Sequence, residues 1–153
     1  MRLTTVFRRL LSLQAASVTK ATFHTDAQAI IVDVRSMSRS LECPRCRQRS
    51  SVGAYDARWR MWRHIDLGAW EIYLRSKSRR FHCPRCDALV TEVMPWAEPD
   101  SVFSRDFEDI VSFLAQTSNS TAVSRLTRIA WPTVGNIVER TVQRRGLPLN
   151  RRR

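Results

Sequence analysis

The chain of 153 residues carries 26 Lys and Arg against 14 Asp and Glu, a formal net charge of +12, with an isoelectric point near 11.2. That excess points to a polyanionic partner, nucleic acid before a membrane surface. Apolar residues make up 43%, enough for one domain or two small ones, and no run approaches the roughly 18 to 20 apolar residues of a membrane span.

Residues 3–13 predict a short helix with Leu3, Val6, Phe7, Leu10 and Leu11 on one face. Arg2, Arg8 and Arg9 among leucines resemble a transit peptide, but the apolar run is too short and interrupted for a secretory signal. A helix packed on the next module is the expected outcome. Residues 29–34 read as a strand, closing an N-terminal segment of 1–35.

The four cysteines fall in two identical tetrapeptides, Cys43-Pro44-Arg45-Cys46 and Cys83-Pro84-Arg85-Cys86. Two thiolates two residues apart supply half of a tetrahedral site, and the second pair closes it, so Cys43, Cys46, Cys83 and Cys86 are expected to bind one structural zinc ion. With four sulfurs present no position stays open for a catalytic water. His24, His64 and His82 are surplus to such a site, and Arg45, Arg47 and Arg85 would favour the thiolate forms. A redox dithiol is the rival for a lone Cys-x-x-Cys, but two copies without a thioredoxin-like context argue against it. Exposed metal-binding thiols also fit a reducing compartment.

Between the knuckles, Trp59 and Met61 alternate with Arg58 and Arg60, and Trp70, Ile72 and Leu74 alternate with Glu71, Tyr73 and Arg75. Gly68 marks a turn. The pattern predicts hairpins with one aromatic and one cationic face, making 36–90 a β-rich zinc module in which Arg58, Arg60 and Arg63 would contact DNA backbone. Residues 91–101, broken by Pro95 and Pro99, read as a linker. It lies in an acidic stretch, for 87–109 holds seven acids and one arginine.

Beyond it the apolar period becomes 3.6. Phe103, Phe107, Ile110, Val111 and Leu114 predict a helix with Ser104 as N-cap, and Ala122, Val123 and Leu126 the buried side of a second. A third follows Pro132 with Val134, Ile137, Val138 and Val142 inward. This is a helix-turn-helix plan for 102–145, followed by a basic tail, 146–153. Thr133, Asn136, Arg140 and Gln143 oppose the apolar stripe of the third helix and are types that read bases, while Arg125, Arg128, Arg144 and Arg145 suit phosphates. The fold class is therefore α+β, a β-rich zinc ribbon followed by an all-α helix-turn-helix.

The order of these motifs carries a resemblance. The paired knuckles are joined by Trp62-Arg63-His64-Ile65-Asp66-Leu67-Gly68 and Arg79-Arg80-Phe81-His82. Phe103-Ser104-Arg105-Asp106-Phe107-Glu108-Asp109 opens the helices, and Thr121-Ala122-Val123 leads to Ala130-Trp131-Pro132-Thr133-Val134. Over nearly its whole length the chain resembles the N-terminal half of bacterial insertion-sequence transposases of the ISL-three type. The resemblance implies zinc on the four cysteines, a recognition helix over 132–143, and double-stranded DNA, the element's terminal inverted repeats, as partner. A homodimer or intact transposase would be the protein partner and the bacterial cytoplasm, at the nucleoid, the location. It also implies a DDE catalytic domain starting near residues 146–153, so the chain reads as truncated before it and is not expected to cut DNA. Asp33, in a strand-like setting, is a poor catalytic candidate because it precedes the ribbon. A stand-alone zinc-containing transcriptional regulator, a competitor of intact transposase, and one half of a split gene are the alternatives. Two residues depart from the usual pattern: Ala130 where a capping serine would serve better, and Arg128 in a turn where glycine is common.

Overall fold

The computed structural model describes residues 2–146; most of the predicted basic tail, 147–153, lies outside the described residues. It has two compact units, Met1–Ser104 and Arg105–Arg153. The first unit begins with α1 (Leu3–Leu11), β1 (Ala16–His24) and β2 (Ala29–Ser36), then the short β3 (Leu41–Glu42) and β4 (Arg49–Ser50). It ends with the long hairpin β5 (Asp56–Leu67) and β6 (Trp70–Cys83), then β7 (Ala88–Thr91). Five strands form one sheet in the order β1-β2-β6-β5, with β7 also on β6; β3 and β4 make a separate pair. All partners are antiparallel except β2 and β6, which run parallel from Ala29↔Glu71 to Asp33↔Arg75. Gly68, at φ +61, makes the β5–β6 turn, a conformation few side chains tolerate.

β6 serves two cores on opposite faces. Ile72 and Leu74 point into a cluster with Ile30, Val32, Val34, Trp62 and, from α1, Phe7 and Leu11. Phe81 and Cys83, of the opposite parity, point into a second cluster with Leu41, Cys43 and Val90. Successive side chains of a strand alternate between faces, so one uninterrupted strand reaches both.

The aromatic and cationic faces expected from the alternation are arranged differently. Trp62, His64 and Leu74 are inward, whereas Trp59 and Met61 are exposed and lie across from Lys77 and Arg75. The aromatic and cationic side chains interleave on a single face, because the strands pair in the register that buries the even-numbered apolar residues. Residues 91–101, read as a linker, lie within this unit. Met94, Trp96 and Ala97 are buried in the first core, and Trp96 meets Trp62 edge to face, with ring centroids 5.6 Å apart.

The second unit contains α2 (Arg105–Thr117), α3 (Ser120–Thr127) and α4 (Trp131–Arg145). In each helix the buried stripe is shifted from the apolar one. Ser112, Thr127 and Thr141 are buried, while Ile110 and Leu126 are exposed. The hydroxyls tolerate burial because each has a partner: Ser112 Oγ donates to Thr141 Oγ1 at 2.9 Å, and Thr127 donates to the Val123 carbonyl at 2.7 Å. No helix among the described residues is long and apolar enough to cross a membrane.

Candidate metal centre and nucleic-acid interface

Two hairpins deliver the cysteines. The β3–β4 connection supplies Cys43 and Cys46, while the last residue of β6 is Cys83 and the β6–β7 connection supplies Cys86. The knuckles repeat one backbone design. The Arg47 N–H donates to the Cys43 carbonyl and the Asp87 N–H to the Cys83 carbonyl, both at 2.9 Å. Arg47 and Asp87 each take positive φ, 59° and 49°, which lets the chain reverse around the sulfurs. In each pair the first cysteine is buried and the second half-buried.

All four Sγ atoms lie within 4.8 Å of one another, with Cys43 to Cys86 at 3.8 Å and Cys46 to Cys83 at 3.7 Å. Four sulfurs about 2.3 Å from a central zinc define a tetrahedron with edges of about 3.8 Å, so the donor set fits the ion in chemistry and spacing. Cys43, Cys46, Cys83 and Cys86 would hold one structural zinc. No other group of three or more His, Cys, Asp or Glu converges in this way among the described residues. His82 is outward, with Nε2 3.6 Å from Asp87. His64 is buried, its Nδ1 2.7 Å from Ser104 Oγ.

The thiols are unequal. Burial raises the Cys43 thiol, but hydrogen bonding to the backbone of Cys46 and Arg45, and then to the Cys83 and Cys46 side chains, outweighs it and brings its pKa down to about 7. Cys86 is pushed up to about 12, chiefly by its hydrogen bond with Cys46, then by burial and the other two thiols.

In the second unit, α3, residues 128–130 and α4 form the helix-turn-helix. Asn119 caps α3, its Oδ1 accepting the Ala122 N–H at 2.9 Å. Arg128 occupies the left-handed region at φ 57, and Ala130 precedes α4 with no side-chain cap. Val134, Ile137 and Thr141 face inward. Asn136 and Gln143 are exposed and Thr133 is half-buried; Gly135 and Glu139, which sequence patterning had not singled out, share the exposed face. Ser120, Thr121, Ser124, Arg125 and the exposed Trp131 line an open cleft of about 400 Å³ where α3 and α4 begin.

Several arginines expected on DNA have partners within their own unit. Arg63 has a side chain only 7% exposed and pairs with Asp66 at 2.7 Å and Glu71 at 3.0 Å. Such burial requires compensating acids and removes Arg63 from the surface. Arg140 bonds the fully buried Glu108 at 2.8 Å, and Arg144 bonds Glu108 and Asp109. Arg145 lies 3.2 Å from Asp109 but stays half-exposed. Arg60 stacks over Trp62 and donates to the Ser101 carbonyl at 3.4 Å. Arg58 is open to solvent, 3.9 Å from Asp56. Charge alone does not reveal which arginines have internal partners; the adjacent acids Glu108 and Asp109 on α2 were the available signal for Arg140 and Arg144.

The comparisons agree with this architecture. Residues 39–86 match the zinc finger of transposases IS204/IS1001/IS1096/IS1165, and residues 92–142 match the helix-turn-helix domain of transposase family ISL3. The transposases for insertion sequence element IS1557 from two Mycobacterium tuberculosis strains, CDC 1551 / Oshkosh and H37Rv, are each 36% identical over 116 residues. The match takes in 75% of this chain but 26% of each relative, so the chain spans about a quarter of their length. No solved structure matches. All four metal-binding cysteines fall within the first match, so the chain carries the zinc ribbon and the helix-turn-helix of ISL3-family transposases and is homologous to the IS1557 transposase over these domains.

Proposed function

We propose that these two domains recognise the terminal inverted repeats of an insertion sequence, α4 entering the major groove of each end. The observation that carries the reading is the solvent face of α4. Asn136, Glu139 and Gln143 stand there together, and their amide and carboxylate groups match adenine and cytosine edges. Gly135 lies among them, and a Cβ added there would meet nothing within 4 Å. The fold does not require glycine at this helical position, but close approach of DNA would. Arg125, Arg128 and Arg145, exposed around the same helices, supply phosphate contacts, as does the uncapped start of α4.

The zinc ribbon holds its unit's fold, and its exposed Arg58 adds backbone affinity. The contribution of these domains is binding rather than strand cleavage. Asp33, the most active-site-like acid of the sequence, is held by the Arg75 guanidinium at 2.6 and 2.9 Å. Two inverted ends call for a two-fold assembly, either a homodimer or a pairing with intact transposase, acting at the nucleoid in the bacterial cytoplasm.

Fluorescence anisotropy with duplexes carrying the repeats that flank the coding element tests the proposal. Specific binding should exceed binding to a random duplex, and Asn136→Ala should lower it about 5- to 100-fold with little effect on the random sequence. Equal affinity for both duplexes would reject recognition of the ends.

A further inference from the structure

The sheet of the first unit has a second surface of nucleic-acid chemistry that the helix-turn-helix reading does not use. β2 follows one edge of β6 as far as Arg75, and β7 joins β6 only from Arg80 onward. The gap beside residues 76–79 is a groove of about 400 Å³ whose lining includes Thr19, Arg35, Trp59, Lys77, Arg79 and Glu92. By register, Lys20, Asp33, Arg75 and Met61 share one face of the sheet, as do Trp59 and Lys77 two residues along.

Cations outnumber acids on this face. Asp33 neutralises Arg75 and Glu92 neutralises Arg79, whereas Lys20, Arg35 and Lys77 are exposed and pair with no carboxylate among the described residues. Trp59 stands among them with 59% of its surface open. Arg75 and Lys77 lie 5.3 Å from its ring centroid. Both cations come from β6, and among the described residues no strand pairs with β5 on its other side at Trp59. Burying this indole in the protein would have been favourable by the area rule, yet it lies on an edge strand amid unneutralised charge.

We propose that this face binds single-stranded DNA, an unpaired base stacking on Trp59 while Lys77, Arg35 and Lys20 follow the phosphates. Charge complementarity selects a polyanion over an apolar protein surface. The open indole selects single strands, because a duplex keeps its base planes stacked inside whereas an unpaired base offers one. The groove accepts a nucleotide, not a double helix. The site is independent of α4 and would engage strands opened beside the recognised duplex.

The test uses the zinc-loaded full chain and a fluorescein-labelled oligothymidylate of about 12 nucleotides. Trp59→Ala should weaken binding about 5- to 100-fold, the range for loss of one base–aromatic stack, while Trp59→Phe keeps most of it. Lys77→Ala and Arg35→Ala should each reduce the slope of log affinity against log salt by about 0.7. Asn136→Ala should leave oligothymidylate binding unchanged, so failure of the α4 reading and failure of this one are separable. Absence of oligothymidylate binding by the native chain would overturn the proposal. So would native-like binding by Trp59→Ala, or an equal loss of duplex binding in that variant, which would assign the face to double-stranded DNA.

Discussion

Single side chains of the helix-turn-helix separate folding from recognition. Gly135 in an exposed helix interior costs about 1 kcal/mol relative to alanine, and nothing nearby would resist a methyl group. Gly135→Ala should therefore raise the unfolding midpoint in urea while weakening DNA binding; a variant gaining both stability and affinity would contradict close approach at that position. Ala130 has extended backbone angles, φ −70 and ψ 146, suited to an N-cap. Ala130→Ser should stabilise the unit by about 1 kcal/mol, measurable by the same denaturation. The cysteines were legible from sequence because metal chemistry dictates both residue type and spacing. Arg63, Arg140 and Arg144 were not, because a guanidinium reads alike whether it faces a phosphate or a buried carboxylate.

The helices themselves were legible in number and order, but not in phase. Hydrophobic counting favours Leu126 and Val142, whereas the packed stripe takes Thr127 and Thr141. A hydroxyl bonded to its own helix or to a facing hydroxyl can occupy the core, and periodicity of apolar residues does not register this. The pairing of α2 with α4 follows the same logic. Glu108 is fully buried and accepts from Arg140 at 2.9 Å and Arg144 at 3.4 Å, fixing α4 against α2. Glu108→Ala should destabilise the second unit by about 2 kcal/mol, since hydrogen bonds to charged groups are worth about 1.5–3 kcal/mol. Loss of helical circular dichroism at lower denaturant would show it. An unshifted midpoint would mean that the arginines regain as much from water.

Taken entire, the first unit depends on metal at one end and on apolar packing at the other. β3 and β4 have two residues each, too few to hold a hairpin without the ion. Chelation, or Cys43→Ser with Cys83→Ser, should remove about one zinc per chain, read by elemental mass spectrometry. It should also abolish protection of the Phe81 and Val90 amides in hydrogen exchange, because the free energy of structural zinc binding is folding free energy in such modules. Acidification should release the ion in the same way, as protons compete for the thiolates. A metal-free chain with native exchange would refute the ribbon. Nothing in the chain's patterning marks residues 94–97 as closing the opposite core, because two prolines and the surrounding acids obscure Met94 and Trp96 as anchors. The register of β5 against β6, which decides whether Trp59 is inside or out, was likewise fixed only by long-range pairing.

That β6 belongs to both cores sets what kinds of sequence change the family can accept along it. A point substitution at Lys77 alters one exposed side chain. Inserting or deleting a single residue there would invert the facing of Phe81 and Cys83 relative to Ile72 and Leu74, turning one of the two sulfur pairs away from its partner. Length between the Gly68 turn and Cys83 should therefore be far less variable than residue identity, with gaps admitted only two residues at a time.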